Sequence, residues 1–385
     1  MDFLGYKREN GAVGVRNHVV VMPGVVCAGV AARKIVQAVP GTVFLQNSGG
    51  CGQSPADTET TLRIMAGLLA NPNVFGAVIV GLGCEFLQEA QYAAALSALT
   101  AKPLRYVTIQ EQGLNEAIRK GTEHARELLE QAAAVRRTPC DVGSLLLGLE
   151  CGGSDPTSGL SANVVLGMVS DRLIDMGGSA VLTETPEAIG AEHILRRRGR
   201  TPAVGQAIYD AVRGFEKKFA DAGINVRDGN PSPGNIEGGI TTLEEKSLGC
   251  IHKSGTKPFE AFYRYGEQVT AKGLSFLDAT AFDVASVTAK AAAGSQITVF
   301  TTGRGNPVGN PICPVIKMTA NPDTARRLWD IIDFDCSGTV TGEKTLAQSS
   351  DELLACLLRV CEGELTAAER NGAEEILIDH QMCYV

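Results

Sequence analysis

The feature that most constrains the fold is a regular alternation of short apolar runs and longer amphipathic segments over residues 18–135. The apolar runs are rich in valine and isoleucine, which favour β-strands, and they predict strands at 18–23, 42–46, 75–81 and 104–109. The intervening segments predict helices near 27–38, 57–70, 86–99 and 113–135. Because such an alternation lays helices against a parallel sheet, we expect an α/β unit with helices on both faces.

The second half of the chain repeats this pattern with longer polar loops. Strands are predicted at 144–149, 179–183 and 296–301, and helices near 161–176, 201–221 and 349–361. The glycine-rich segment 225–243 has too little periodicity for regular structure and is typical of a functional loop. With a boundary at 136–140, the sequence predicts two Rossmann-like parallel-sheet domains, 1–140 and 141–385. The active site is expected between them, at the carboxyl ends of the strands.

Composition excludes several classes of protein. The chain of 385 residues is 44% hydrophobic and carries a net charge of −8 without a basic stripe, which argues against nucleic-acid binding. No apolar run is long enough to span a membrane, and the first residues have no signal-peptide core. Eleven scattered cysteines form no compact disulfide framework, so we expect a cytoplasmic protein with free thiols.

Three cysteines follow three of the predicted strands. Cys27, Cys51 and Cys84 each lie in a short glycine-bearing segment just after a strand. Because the carboxyl ends of parallel strands share one rim, the three thiols could meet at one point and hold iron. The alternative is that each is a small buried hydrophobic residue. Cys151 also follows a strand, but it lies in a polar loop and could instead orient a substrate.

That polar loop, residues 151–163, runs from a predicted strand into a predicted helix. Its glycines allow backbone N–H groups to face an anion at the start of a helix. Ser154, Ser158 and Asn163 can hydrogen-bond substrate hydroxyl groups, and Asp155 can bind a hydroxyl group or a metal. The alternative is an ordinary helix-capping loop.

Further acid–base candidates lie in two other segments. Glu184 and Glu187 follow the strand 179–183, and His193 lies just beyond them. Histidine titrates near neutrality and can act as a general acid or base, although a surface or packed histidine is the plain alternative. Lys246 is either a buried base with a lowered pKa or a cation that stabilises an enolate.

A second candidate anion loop, residues 301–307, follows another strand. Arg304 in this loop is suited to a bidentate grip on a carboxylate, while Thr301, Thr302 and the more distant Asn235 offer groups for substrate hydroxyls. No segment matches a Walker A loop or the dinucleotide fingerprint, so nucleotide binding is not expected.

Taken in order along the chain, the motifs resemble the altronate/galactarate dehydratase family. They comprise segments 5–8, 14–17, 71–74, 81–85, 151–155, 184–187, 190–193, 238–249 and 300–305. The resemblance implies an iron-dependent hydro-lyase that converts a 2,3-dihydroxy acid into a 2-keto-3-deoxy acid. A cluster on the three thiols fits better than a lone hard ion, with mononuclear Fe(II) or Mn(II) on oxygen and nitrogen ligands as the alternative.

Within that hypothesis each candidate has a role. Arg304 grips the substrate carboxylate, and Lys246 or His193 takes the α-proton, without a ranking between them. The hydroxyl-reading set comprises Ser154, Asp155, Ser158, Asn163, Glu184, Glu187, Asn235, Thr301 and Thr302.

Two other functions remain open. The large subunit of (R)-sulfolactate sulfo-lyase is similar over the same region and expels sulfite, but it lacks the three thiols, so their presence here favours a dehydratase. A non-catalytic subunit that binds a small acid is a candidate from another class.

Two departures from the family pattern bear on substrate and partners. Sugar-acid members carry histidine four residues before the second cysteine, where this chain has Asn47, so the exact substrate stays open. Members also carry a small β-rich domain, fused or separate. Because this chain begins at the large region, we expect a separate small subunit of about one hundred residues, on the scale of a small domain, in an oligomeric enzyme.

Overall fold

The computed structural model describes residues 1–380, which fold around two parallel sheets. In the first part of the chain the strands are β1 (Asp2–Lys7), β2 (Val13–Gly14), β3 (His18–Pro23), β4 (Thr42–Phe44), β5 (Val74–Gly81), β6 (Leu104–Thr108) and β7 (Thr138–Asp141). The helices are α1 (Gly29–Ala38), α2 (Pro55–Ala70), α3 (Glu89–Ser97), α4 (Ile109–Gln112) and α5 (Leu114–Ala134).

The second part contains seven further strands: β8 (Leu146–Cys151), β9 (Ser179–Leu182), β10 (Phe259–Tyr263), β11 (Gly273–Leu277), β12 (Ile297–Thr301), β13 (Val315–Thr319) and β14 (Phe334–Asp335). Its helices are α6 (Asn163–Asp175), α7 (Glu192–Arg197), α8 (Pro202–Asp221), α9 (Pro233–Glu237), α10 (Leu243–Cys250), α11 (Asp283–Ala292), α12 (Pro322–Arg327), α13 (Gly338–Thr341), α14 (Leu346–Cys361) and α15 (Ala367–Arg370).

The first sheet has the order β4-β3-β5-β6, and all of its pairings are parallel. The central strand β3 is buried on both faces, as its unbroken valine run predicts. Helix α2 begins at Pro55, because the Ser54 hydroxyl accepts a hydrogen bond from the backbone N–H of Asp57. These observations confirm the predicted α/β class for this region.

The second sheet is larger than predicted, with the parallel order β10-β11-β9-β8-β12-β13-β14. Four of its seven strands, β10, β11, β13 and β14, were not predicted. The apolar signal is weak in each of them, because β10, β11 and β13 are interrupted by a charged or small polar residue and β14 has only two residues. Segment 225–243, predicted to lack regular structure, contains the short helix α9, which Ser232 caps.

A third, antiparallel sheet of order β2-β1-β7 joins the start of the chain to the predicted boundary region. Strand β7 overlaps segment 136–140 and pairs with β1. The division into domains at residue 140 stays a prediction.

Two helices bring the parallel sheets together. The carboxyl ends of α2 and α11 pack so closely that a Cβ atom on Gly67 would lie 2.4 Å from the carbonyl oxygen of Ala292. The side-chain amide of Asn71 donates to the carbonyl oxygens of Ala291 and Ser295, both at 2.8 Å. The contact between the two helices therefore lies at their carboxyl ends, at residues 67–71 and 291–295.

Across residues 1–380, no helix combines the length and the apolar character that crossing a membrane requires.

Candidate active site

The site begins where β8 and β9 end side by side. Cys151 is the last residue of β8 and is 1% exposed. Glu184 follows β9 with φ 69°, and it is the only non-glycine residue with a positive φ in the described part of the chain. A left-handed backbone is unfavourable for glutamate and persists only where the surrounding structure holds it. Here it accompanies a carboxylate that is buried against Cys151.

Helix α10 and the turn after it complete a buried cluster. The donor atoms of Cys151, Glu184 and Cys250 lie within 4.8 Å of one another, a spacing found for no other such group within residues 1–380. The ammonium group of Lys253 lies 2.9 Å from each of the two sulfur atoms. It also forms an ion pair with the carboxylate of Glu184.

The charges in this cluster depend on one another. Burial lowers the pKa of Lys253, but Cys151, Cys250 and Glu184 together raise it well above its ordinary value. Lys253 is therefore a buried cation. Burial, followed by the neighbouring Glu150, raises the pKa of Glu184 to about 8, although Lys253 acts in the opposite direction.

The donor set suits a metal ion by its chemistry. Two thiolates and one carboxylate favour a borderline or soft divalent ion, so the group could bind a metal and is compatible with iron. The Lys253 ammonium lies between the same donors, and a metal would have to displace it.

A cavity of ≈ 280 Å³ opens beside this cluster. Its wall includes five of the predicted site residues, Ser154, Asp155, Ser158, Asn163 and Lys246, together with Cys250 and His252. Within the described residues the buried hydroxyl group of Ser154 has no hydrogen-bond partner. Since a buried polar group without a partner costs free energy, a ligand group that reached this hydroxyl would relieve that cost.

Lys246 lies at the edge of the cavity as part of an ion pair. Its Nζ is 2.6 Å from Oε1 of Glu187 and 2.9 Å from Oδ1 of Asn230. Burial lowers the pKa of Lys246, but Glu187, together with Cys151 and Cys250, outweighs burial and the net shift is upward. Of the two roles considered for Lys246, the ion pair therefore favours the cation over the base with a lowered pKa.

The polar loop after β8 is held in place by two other predicted residues, Asn235 and Thr301. The Asn235 amide donates to the carbonyl oxygen of Ser154 at 2.9 Å. The Thr301 hydroxyl donates to Oδ1 of Asn163 at 2.6 Å. Asp155 accepts hydrogen bonds from several neighbours, including the Asn321 amide at 2.8 Å. Asn235 and Thr301 thus position the residues of the cavity wall.

Three predicted residues lie away from the cavity wall. Arg304 pairs with Glu237 at 2.8 Å, and the Thr302 hydroxyl accepts from the backbone N–H of Gly305 within its own turn. His193 is exposed and lines a separate open depression with Arg196 and Arg197. The structure therefore does not bring His193 to the cavity.

The three predicted thiol ligands lie on loops that meet at one rim of the first sheet. The backbone N–H of Val26 donates to the carbonyl oxygen of Gly49 at 3.1 Å, which joins the loops of Cys27 and Cys51. The N–H of Leu87 donates to the carbonyl oxygen of Gly50 at 3.2 Å, which joins the loop of Cys84. All three cysteines are exposed, unlike the buried hydrophobic residues of the alternative interpretation.

The three exposed thiols do not form a set within 4.8 Å, the spacing that characterises the buried cluster. Thiolates that bind different irons of one cluster lie farther apart than ligands of a single ion, so this spacing is compatible with a cluster. Asn47 stabilises the same rim, because its amide donates to the carbonyl oxygen of Gly24 and its oxygen accepts from the N–H of Gly49.

Sequence reasoning missed Cys250 and Lys253. The signal was present, since Cys250 ends α10, Lys253 lies three positions later in the 3₁₀ turn that follows, and residues at that spacing share a helix face. Nothing in the local sequence indicates that this face meets Cys151 and Glu184.

Comparison with known proteins identifies the family. A family model described as D-galactarate/altronate dehydratase, C-terminal, matches residues 142–383. A second, described as D-galactarate dehydratase/altronate hydrolase, second domain, matches residues 5–133. The chain belongs to the D-galactarate/altronate dehydratase family.

Individual relatives agree over nearly the whole chain. Altronate dehydratase of Bacillus subtilis is 36% identical, and the match covers 98% of this chain and 77% of the relative. The (2R)-sulfolactate sulfo-lyase subunit beta of Chromohalobacter salexigens is 37% identical, and the match covers 98% of this chain and 96% of the relative. Galactarate dehydratase (L-threo-forming) of Escherichia coli is 32% identical, with coverage of 94% and 73%. These findings confirm the predicted family and an enzyme of the hydro-lyase class rather than a non-catalytic binding subunit.

Proposed function

We propose that the enzyme removes water from a 2,3-dihydroxy sugar acid and forms a 2-keto-3-deoxy acid. The observation that carries the proposal is a cavity that combines a fixed cation, Lys246, with the unpartnered hydroxyl group of Ser154. A sugar acid offers the matching chemistry, namely a carboxylate and a row of hydroxyl groups. The names of the dehydratase relatives support the same substrate class.

In this proposal Lys246 stabilises the negative charge that develops when the α-proton leaves. A preorganised cation on the cavity wall stabilises an enediolate more than water does, because it needs no reorganisation during the reaction. The ion pair with Glu187 holds the ammonium group in place before the substrate arrives. Ser154, Ser158 and Asn163 then bind substrate hydroxyl groups and set the orientation of the bond that breaks.

The identity of the base remains a prediction. The sequence offers Lys246 and His193 as candidate bases, and Lys246 is held as a cation. His193 lies in a depression that shares no residue with the cavity. His252 supplies an imidazole on the cavity wall, and an imidazole nitrogen is a suitable acceptor for the α-proton.

We further propose iron as the cofactor. The predicted ligands are Cys27, Cys51 and Cys84, which would hold an iron–sulfur cluster; the alternative is a single Fe(II) or Mn(II) ion on Cys151, Glu184 and Cys250. Iron at either place would supply a Lewis acid for the substrate carboxylate and the leaving hydroxyl group.

Iron and acid-labile sulfide analysis of anaerobically purified protein separates these arrangements. With a cluster on the rim, Cys84→Ser should lose iron and sulfide together, while Cys250→Ser keeps both. With a single ion in the buried cluster, iron occurs without sulfide and Cys250→Ser loses it. Cys313→Ser is the matched control, because this buried thiol belongs to neither group. Neither iron nor sulfide, even after anaerobic reconstitution, would exclude the iron proposal.

One specific observation favours a second function, the release of sulfite from sulfolactate. The sulfo-lyase subunit is covered over 96% of its length, compared with 73% to 77% for the dehydratases. Purified enzyme should therefore be supplied separately with altronate, galactarate and (2R)-sulfolactate. Formation of a 2-keto-3-deoxy acid from a sugar acid supports the proposal, whereas sulfite release from sulfolactate alone would replace it.

A separate small β-rich subunit in an oligomeric assembly remains part of the proposal. It is supported by the relative whose name designates a subunit beta. Full turnover by this chain alone in the substrate experiment would contradict the need for such a partner.

A further inference from the structure

The buried cluster contains two thiols in direct contact. The Sγ atoms of Cys151 and Cys250 are 3.6 Å apart, and both side chains are buried. A disulfide bond is ≈ 2.05 Å long, so the two sulfur atoms need to approach by only about 1.5 Å. The sulfur atoms of Cys140, Cys313 and Cys336 contact oxygen atoms instead.

One of the two thiols can be reached from the substrate cavity. Cys250 belongs to the cavity wall and is 3% exposed, whereas Cys151 is not part of that wall and is 1% exposed. An oxidant as small as hydrogen peroxide therefore meets Cys250 first and finds Cys151 directly adjacent.

We propose that Cys151 and Cys250 are a modification site at which peroxide forms a reversible disulfide bond. Hydrogen peroxide oxidises the Cys250 thiol to a sulfenic acid and releases one water molecule. The sulfur of Cys151 then attacks the sulfenic sulfur, the S–O bond breaks, and a second water molecule leaves with the remaining thiol proton. In total one peroxide is reduced to two waters, and two thiols are oxidised to one disulfide.

Formation of this bond disables the site in two ways. Lys253 loses two thiol partners and is left with Glu184, and the buried cluster loses two of its three metal-binding donors. We therefore expect peroxide to inactivate the enzyme and a thiol reductant to restore its activity.

Mass spectrometry of the cross-link tests the proposal directly. The exposed thiols of the folded protein are first blocked with iodoacetamide, and hydrogen peroxide is then added. The protein is unfolded, its remaining thiols are capped with N-ethylmaleimide, and trypsin is added. The expected product links the tryptic peptides 138–172 and 247–253, which contain Cys151 and Cys250. The experiment is run on protein as purified and after treatment with a chelator, because a bound metal would shield the thiols.

Cys140 provides the matched control, since it lies on the same tryptic peptide as Cys151. Cys140→Ser should retain the linked product, while Cys151→Ser and Cys250→Ser should each lose it. The proposal would be overturned if Cys151 and Cys250 stayed unlinked both in the protein as purified and after treatment with a chelator. Oxidation of Cys250 to a sulfinic acid without formation of the disulfide would overturn it as well. Because the readout is a covalent bond, its failure is independent of whether the proposed substrate is correct.

Discussion

At the scale of single residues, the charge of Lys246 is the simplest feature of the site to test. Lys246→Gln removes the cation but keeps a hydrogen-bonding side chain next to Glu187. If the ammonium group stabilises the enediolate, kcat/KM for the turned-over sugar acid should fall by about 10²- to 10³-fold, the effect of removing one preorganised donor. Steady-state kinetics provide the measurement.

Lys344→Gln is the control for this substitution, because Lys344 forms an exposed pair with Glu352 outside the cavity. It should leave kcat/KM unchanged. Wild-type kinetics in Lys246→Gln would remove this lysine from the mechanism.

Asp283, the first residue of α11, makes stability depend on pH. Burial, then Glu184 and Glu187, raise its pKa from 3.8 to about 7, although Lys317 and Lys246 act in the opposite direction. At a pH between 3.8 and about 7, the carboxyl group of Asp283 keeps its proton in the folded protein and releases it in the unfolded chain. The contribution of Asp283 to the free energy of unfolding therefore decreases as the pH rises through this window.

Asp283→Asn should remove that decrease while preserving the shape of the side chain. Urea unfolding at about pH 5 and about pH 8 provides the measurement, and the variant should gain stability relative to the wild type at the higher pH. An identical stability difference at the two pH values would show that Asp283 does not titrate in this range.

At the scale of elements, the contact between α2 and α11 depends on a glycine. A Cβ atom on Gly67 would meet the backbone of Ala292, which cannot move aside as a flexible side chain can. Gly67→Ala should therefore force the helices apart and destabilise the protein by about 1–3 kcal/mol, the usual range for overpacking. Chemical denaturation measures this difference.

Gly214→Ala is the matched control, because Gly214 lies in the exposed middle of α8 and a Cβ atom there meets nothing within 4 Å. Alanine should stabilise that helix by about 0.5–1 kcal/mol. If both substitutions stabilised the protein equally, the close approach of α2 and α11 would be disproved.

At the scale of the whole molecule, one ion pair joins the two ends of the chain. Arg16 follows β2, and its guanidinium group binds both carboxylate oxygens of Glu369 in α15, at 2.7 and 2.9 Å. The side chain of Arg16 is 7% exposed. Arg16→Ala leaves Glu369 without its cation and should cost about 3–5 kcal/mol of unfolding free energy.

Arg326→Ala removes a comparable pair with Asp323, but both of those side chains are more than three-quarters exposed. Its effect on thermal and urea unfolding should stay within about 0.5 kcal/mol. Equal losses in the two variants would mean that burial does not strengthen the Arg16 pair.

The local features of this protein were within reach of the sequence. The valine run of β3 predicts a strand buried on both faces, and the capping residue Ser54 predicts the start of α2 to within two residues. Such features depend on neighbours in the chain, so propensity and periodicity suffice to detect them. The polar loop after β8 was also recognised from the sequence, because the hydrogen-bonding capacity of its side chains does not depend on the tertiary structure.

The pairing of distant residues was decided by tertiary structure. Cys151 and Cys250 are 99 positions apart and become neighbours only because the carboxyl ends of β8 and α10 meet. In the sequence, nothing distinguishes Lys253 from an ordinary surface lysine. In the structure it is buried between two thiols and Glu184. The sequence alone determined the α/β class and the residue types available for catalysis, whereas the crossover connections determined which of them meet, because no local interaction records that information.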